Sequence, residues 1–271
     1  MRALATLLLC TAVVGSAQAQ AGPMPVSARF AGMGQAGITA SDLWSTGANQ
    51  AGLAGLESPV AGVAWQQHWL APDLALQGVA VAVPVGKGCF AASAHSFGNA
   101  AWMQRGFGLA WAMRLSETWR AGVQLDYLGL RLGEGYGSVG IVTAELGVQA
   151  RLTEKLWAGA HLYNPGRSGL GGPYEEEVPT VLGAGLAYAF NERVTLSGQV
   201  DKDMDRPEAW HAGVEYRPMP VLFLRTGVSS GPVKAHFGAG LRVKQLELDL
   251  AAVLRSQLGL TPMVNLNWRF P

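Results

Sequence analysis

The five histidines have the most versatile side chains in this sequence, since an imidazole can bind a metal ion or transfer a proton. They lie on five separate stretches of the chain, with no metal-ligand spacing between them: His68, His95, His161, His211 and His236. A structural zinc site normally takes two of its ligands from one short motif. We therefore expect hydrogen-bonded interior histidines, without a metal or another cofactor.

Three further patterns could carry chemistry. Gly-x-Gly-x-x-Gly occurs at 32–37 and 135–140, but neither copy follows a buried strand and opens a helix, as dinucleotide binding requires. Residues 201–205 (DKDMD) begin like a calcium loop, yet Arg206 replaces the required glycine and Ala212 the last glutamate. No serine lies in a nucleophile elbow, although a Ser/His pair across strands stays open. We predict that the protein is not an enzyme.

The first nineteen residues have the pattern of a signal peptide. Arg2 precedes an apolar stretch over 3–15, and Ala17-Gln18-Ala19 is a small-x-small cleavage site. A lipoprotein site at 7–10 is the alternative, but Leu9 is bulky where a small residue is required. Removal of residues 1–19 would leave Cys89 as the one cysteine, so the exported chain could form no internal disulfide.

Composition narrows the class of protein. The 271 residues include 36 glycines, 49% are hydrophobic and 14% are charged. A net charge of +1 without a basic cluster argues against a nucleic-acid partner. After residue 20 no apolar run approaches the ~20 residues of a membrane helix. If the protein enters a membrane, it enters with strands.

From residue 59 onward, apolar and polar residues alternate in short segments. Over 119–127 the odd positions are apolar and the even positions are Arg120, Gly122, Gln124 and Asp126, which puts the two sets on opposite faces of a strand. We predict fourteen such strands, at about 60–69, 74–84, 88–97, 104–114, 118–131, 137–151, 155–163, 180–190, 193–202, 208–217, 220–229, 233–243, 245–255 and 261–270.

The connections alternate as well, being tight after every second segment and longer after the others, with 164–177 the longest. Tight periplasmic turns and longer external loops are typical of an outer-membrane barrel, and this parity puts both chain ends in the periplasm. A soluble β-sandwich is the alternative, but its core could not hold Glu145, Glu215, Glu247 and Asp249 cheaply. The sequence predicts an all-β, 14-stranded antiparallel transmembrane β-barrel.

Residues 27–56, SARFAGMGQAGITASDLWSTGANQAGLAGL, resemble the N-terminal signature of the FadL/PorV-like (PorV/PorQ family) bacterial outer-membrane barrels. Gln50 departs from that signature, which usually has proline there. The resemblance implies passive uptake of a hydrophobic small molecule, or an accessory or structural role in type IX secretion without transport. The matching positions are Ala28, Arg29, Gly32, Met33, Gly34, Ala36, Gly37, Asp42, Asn49, Ala51, Gly52 and Leu53.

A fourteen-strand barrel is too wide for its own side chains to fill. We expect residues 20–57, hereafter the N-terminal segment, to fold into the barrel of 58–271 as a plug. Its expected ligand or plug residues are Arg29, Met33, Asp42, Trp44 and Asn49. The expected lumen-facing charges are Asp126, Glu145, Glu215, Arg242, Glu247, Asp249 and Arg269, with Arg120, Arg217 and Arg225 close to the carboxylates.

The expected partners are outer-membrane lipid, the barrel assembly machinery and either a hydrophobic small molecule or a secretion-system protein. The segment 264–270 ends in alternating apolar residues with a near-terminal aromatic, which resembles the assembly signal of outer-membrane barrels. The predicted location is the outer membrane of a Gram-negative cell.

These assignments predict a strand-rich protein that requires detergent and migrates differently in a gel before and after boiling, because an intact barrel resists unfolding by the gel detergent. Electrophoresis of the purified protein with and without heating checks this. Recovery as a soluble periplasmic monomer would contradict it.

Overall fold

The computed structural model describes residue 24 and residues 26–133, 137–170 and 176–271. The predicted signal peptide, 1–19, lies outside the described residues. None of the described helices is long and apolar enough to cross a membrane.

Strands make up most of the described chain. Short helices occur as α1 (Ala28–Gly32) and as three 3₁₀ helices, Leu43–Gly47, Gln50–Gly55 and His68–Leu70. The strands are β1 Val60–Gln67, β2 Ala75–Val85, β3 Gly88–Gly98, β4 Trp102–Arg114, β5 Trp119–Leu132, β6 Ser138–Arg151, β7 Leu156–Tyr163, β8 Gly169–Leu170, β9 Glu176–Glu177, β10 Val181–Ala189, β11 Val194–Asp203, β12 Ala209–Met219, β13 Leu222–Ser229, β14 Lys234–Val243, β15 Leu246–Arg255 and β16 Gly259–Arg269.

Fourteen of these strands form one closed antiparallel barrel. Each strand pairs with its neighbours in the chain, β7 pairs with β10, and β1 closes the sheet on β16 with Val60 opposite Arg269. The short β8 and β9 pair with each other in the β7–β10 connection. The predicted fourteen-strand barrel is confirmed, and closure leaves no sheet edge exposed to lipid.

The two faces of the wall follow the predicted period of two. On β5, Leu125 is 62% exposed on the outside, whereas Gln124 and Asp126 are 3% and 9% exposed on the inside. The strands that follow place leucine, valine and aromatic side chains outside in the same way. Lipid therefore meets an apolar surface, and polar side chains face the lumen.

The connections follow the predicted parity only in part, since those of three residues after β3 and β15 are shorter than those of four residues after β4, β6 and β10. Those after β2, β12 and β14 are two residues long, and a left-handed residue makes the bend in two of them, Gly86 and Lys244. The opposite end carries the longest connection, between β7 and β10. The rule that external loops are the longer ones makes this the extracellular end.

The β7–β10 connection folds inward at the extracellular end. Asn164 is fully buried, and its Nδ2 donates to the carbonyls of Ser168 (3.0 Å) and Val178 (2.9 Å). Leu170 and Val178 pack against inward-facing leucines of β5. This connection therefore covers the lumen beside β5 and β6.

The N-terminal segment lies within the barrel from Val26 onward. Its α1 contacts β13 to β16, and the next two 3₁₀ helices contact β1 to β6. Leu43, Trp44 and Leu53 are buried against the alanine-rich inner face of β1 to β4. The segment thereby occupies the interior that the wall encloses.

Inward-facing glycines allow this backbone to approach the wall. A Cβ at Gly122 would meet the backbone of Gln50, one at Gly213 would lie 2.3 Å from the Met33 carbonyl oxygen, and Gly238 faces Gly32. Gly240, by contrast, faces Arg225 and Asp249 of the wall. Glycine is thus required on the wall because the segment passes at contact distance.

Gly213→Ala should destabilise the folded protein by about 1–3 kcal/mol, because its methyl group would overlap the Met33 backbone. Gly198→Ala on the neighbouring strand is the matched control, since a Cβ there would meet only the His211 carbonyl at 4.0 Å. Urea unfolding followed by heat-modifiable gel mobility measures both. Equal unfolding midpoints for the two variants would show that the segment does not pack against β12.

Candidate functional site

Arg29 connects the N-terminal segment to the wall. Its Nε and Nη2 donate to the two carboxylate oxygens of Glu215 on β12, at 3.1 and 3.0 Å. Its Nη1 lies 3.1 Å from Asp42 Oδ2 within the segment. A two-point guanidinium–carboxylate pair fixes orientation as well as distance. Arg29 therefore sets how the segment is placed against β12.

Arg225 on β13 continues the row of charges. Its Nε lies 2.7 Å from Glu215 Oε2, and its Nη1 lies 2.5 Å from Asp249 Oδ1 on β15. Cation and carboxylate thus alternate from Asp42 through Arg29, Glu215 and Arg225 to Asp249. Because each buried charge has an opposite neighbour, removing one member would leave another uncompensated.

A second group of charges stays on the wall. Glu247 on β15 accepts from Arg242 at 2.9 Å and from Arg269 at 3.1 Å. The guanidiniums of Arg225 and Arg242 both lie within 6 Å of the centre of the Phe223 ring. Arg242, Glu247 and Arg269 lie at the turn end of β14 to β16, and among the described residues their ion pairs are with one another.

The other expected plug residues hold the segment in shape. Asp42 Oδ1 accepts from the Trp44 amide (3.0 Å), and the Trp44 indole donates to Asn267 Oδ1 on β16 (3.0 Å). Asn49 caps the next 3₁₀ helix and donates to the Val148 carbonyl at 3.0 Å. Met33 contacts the wall through its backbone at Gly213.

Asp126 and Glu145 form a separate polar cluster halfway along the lumen. Glu145 Oε2 lies 2.7 Å from His161 Nε2 and accepts from Gln50 Nε2 at 2.5 Å. Gln124 donates to Asp126 Oδ1 at 2.7 Å. Within the described residues, neither carboxylate has a lysine or arginine within 4.0 Å. Amides and an imidazole, rather than cations, are the partners of this pair, and Asp126 Oδ2 is buried without a hydrogen-bond partner among the described residues.

Three of the cavities that described residues border lie inside the barrel. The extracellular chamber, about 330 Å³, is lined by Gln66, His68, Trp69, Phe97, Lys234 and Arg255, among others. A cavity of about 40 Å³ lies beside Asp126 and Glu145, and Met24 borders both it and the extracellular chamber. The periplasmic chamber, about 310 Å³, lies between Arg29, Met33 and the turn-end residues Glu154 and Lys155. The N-terminal segment separates the two larger chambers.

Aromatic rings line one side of the extracellular chamber. The His68 and Phe97 rings meet edge to face with centroids 5.0 Å apart, and Trp102 meets Phe97 in the same way at 5.6 Å. Burial lowers the pKa of His68 below its ordinary value, which disfavours the charged form of this ring. The chamber can therefore hold an apolar ring.

A further cavity, about 800 Å³, lies on the outside of the wall at β7 and β10 to β13. Small outward residues such as Ala184, Gly198 and Ala212 form its floor, and Leu186 and Trp210 rise beside it. This depression belongs to the lipid-facing surface, where acyl chains are available to fill it.

No protein-family model and no curated protein matches the chain. Solved structures do resemble it. The TodX deltaS2S3 mutant monoaromatic hydrocarbon channel has a TM-score of 0.71 at 12% identity, over 90% of this chain and 99% of that one. The Ralstonia pickettii toluene transporter TbuX has a TM-score of 0.69 at 13% identity, over 93% and 100%. A Pseudomonas aeruginosa FadL homologue has 0.62 at 12%, over 89% and 98%.

The fold is that of the FadL-type outer-membrane barrels. At these identities the similarity concerns the fold alone, and these neighbours are channels and transporters rather than enzymes. What the extracellular and periplasmic chambers can bind therefore depends on the residues that line them in this chain.

Two arginines of this FadL-type barrel differ from the sequence-based expectation. Arg217 does not approach the lumen carboxylates, because it lies where β12 bends at the turn end and donates to the Glu192 carbonyl (2.9 Å). Arg120 donates to Ser41 of the N-terminal segment (2.6 Å) and lies 4.4 Å from the Trp157 ring centre. The seven expected lumen charges all lie on the inner face.

Two contacts to the N-terminal segment were not anticipated from sequence. His211 and His236 each direct Nδ1 at a carbonyl of the segment, Gly34 at 2.7 Å and Ala31 at 2.6 Å. In the sequence, the signal for these contacts was the inward position of the two histidines on β12 and β14. The described residues contain no group of three or more His, Cys, Asp or Glu that could hold a metal ion.

We expect little steady ion conductance from the intact protein in planar bilayers, since the N-terminal segment separates the two chambers. Deleting 28–54 should open a pore or prevent assembly. Arg29→Ala keeps the chain length and should raise the conductance, because the segment loses its pair with Glu215, whereas Arg217→Ala should not. A large stable conductance of the intact chain, unchanged by the deletion and by Arg29→Ala, would show that the segment does not block the lumen.

Proposed function

We propose that this protein admits a hydrophobic small molecule through the outer membrane by passive diffusion. The observation that carries the proposal is the pair of lumen chambers, one at each end, with the N-terminal segment between them. A sealed structural barrel has no need of an aromatic-lined cavity at its outer mouth.

The extracellular chamber has the size and lining of a small-molecule site. Its volume of about 330 Å³ is within the range of ligand pockets, ~300–1,000 Å³. Phe97 and Trp69 supply apolar surface, and Gln66 and Thr261 supply hydrogen-bonding groups. Proteins of the same fold are named as monoaromatic hydrocarbon channels and a toluene transporter, which supports a substrate of similar size here.

Passage requires the N-terminal segment to move, because the segment separates the two chambers and only about 40 Å³ of space lies beside Met24 and Val26. The small cavity is bordered on one side by this early part of the segment. We propose a local shift of Met24 and Val26, while the bonds of Arg29, Trp44 and Asn49 keep the rest of the segment in place.

We further propose that residues 1–19 are removed during export, that 20–57 fill the lumen and that the barrel assembly machinery inserts 58–271. We assign no catalysis to the lumen. The alternative raised by the N-terminal signature is an accessory or structural role in type IX secretion. Uptake measurements separate the two functions.

Cells that express the protein should accumulate radiolabelled toluene several-fold faster than cells with an empty vector. Trp69→Ala should reduce the rate, because it removes an aromatic wall of the extracellular chamber, whereas Trp210→Ala should not, because Trp210 is 60% exposed on the lipid-facing side. Initial uptake rates at equal surface expression give the comparison. Rates equal to the empty vector for a correctly assembled barrel would exclude uptake of such a molecule and favour the accessory or structural role.

A further inference from the structure

Two cations face the extracellular chamber from neighbouring strands. Lys234 on β14 stands directly opposite Arg255 on β15, and both line the cavity. Adjacent like charges repel, most strongly where burial reduces the screening by water. Such a pair is stabilised when a negative group lies between its members.

No side chain among the described residues supplies that negative group. The described ion pairs, all those within 4.0 Å, include neither Lys234 nor Arg255. Arg255 Nε is buried without a hydrogen-bond partner. On β13, β14 and β16, by contrast, Arg225, Arg242 and Arg269 all contact carboxylates. Lys234 and Arg255 therefore face one cavity with no carboxylate of the described residues between them.

The opposite side of the same chamber is aromatic. Phe97 and His68 form an edge-to-face pair, and Trp69 follows His68 with its amide donating to Thr261 Oγ1 at 3.1 Å. The backbone of Trp69 is left-handed, with φ of 53°, a conformation that this hydrogen bond helps to hold. Cations on one side and aromatic rings on the other describe a ligand with an anionic end and an apolar ring.

We propose that the extracellular chamber selects a small aromatic carboxylate. The carboxylate would accept hydrogen bonds from Arg255 and from Lys234, and the ring would lie against Phe97 and Trp69. This inference rests on the proposed uptake function and refines it, since a neutral hydrocarbon would leave both cations without a partner. The volume of about 330 Å³ accommodates a benzoate ion with its surrounding contacts.

Titration of the purified, detergent-solubilised protein with three probes of equal ring size tests the charge preference. These are benzoate, neutral benzyl alcohol and cationic benzylamine, with binding followed by calorimetry. We expect benzoate to bind about tenfold or more tightly than benzyl alcohol, and benzylamine to bind most weakly.

Variants assign the preference to the two cations. Arg255→Gln and Lys234→Gln should each weaken benzoate binding about tenfold and leave benzyl alcohol unchanged. Arg255→Lys should retain part of the benzoate preference, because it keeps the charge. Arg217→Gln, at the turn end, is the matched control and should change nothing. Heat-modifiable mobility shows that each variant is folded.

The outcomes separate this inference from the uptake function. Suppose that benzyl alcohol binds and toluene enters cells. If benzoate then binds no more tightly than benzyl alcohol, the carboxylate preference is wrong and uptake stands. The same holds if tighter binding of benzoate survives Arg255→Gln and Lys234→Gln together. If none of the aromatic probes binds and toluene does not enter, the proposed uptake fails and the carboxylate preference fails with it.

Discussion

A wall of fourteen strands encloses more space than its own inward side chains can fill. Most features of this protein follow from that constraint. The filling comes from the chain that precedes the wall. Polypeptide can lie inside a barrel only if its backbone and charges find partners there. The wall supplies carboxylates, amides and imidazoles that face inward, and it supplies glycine where the backbone of the segment passes, as at Gly213 and Gly122.

Polar bonds hold the segment in addition to its apolar contacts with the inner face of the wall. Arg29, Trp44 and Asn49 each make a directed contact to a different part of the wall, through Glu215, Asn267 and the Val148 carbonyl. Directed contacts fix position, and a net stabilisation of about 1 kcal/mol for a typical hydrogen bond lets single contacts open and close. A segment held in this way can stay in place as a whole while single contacts open locally. This property suits a barrier that small molecules must pass.

The sequence determined the wall far better than the interior. Period-two alternation predicted all fourteen strands and their inner face, because lipid on one side and polar lumen on the other impose one pattern on every strand. The sequence did not show which side chains pair with each other inside the lumen. Arg29 and Glu215 lie 186 residues apart, and only closure of the barrel brings them together. Arg217 shares the inward parity of Glu215 but lies where β12 bends, so alternation alone misplaced it. The inward fold of the β7–β10 connection was likewise hidden, since its Gly and Pro content is typical of any surface loop.

Hydrogen–deuterium exchange measures directly whether the N-terminal segment is folded inside the barrel. In the intact protein, amides of 28–56 should exchange slowly, with protection lasting minutes or longer, because the wall excludes water from them. Peptides from the β11–β12 loop, 204–208, serve as the fast-exchanging reference. Exchange of 28–56 within seconds, as fast as this loop, would show that the segment is a free tail and would contradict the account.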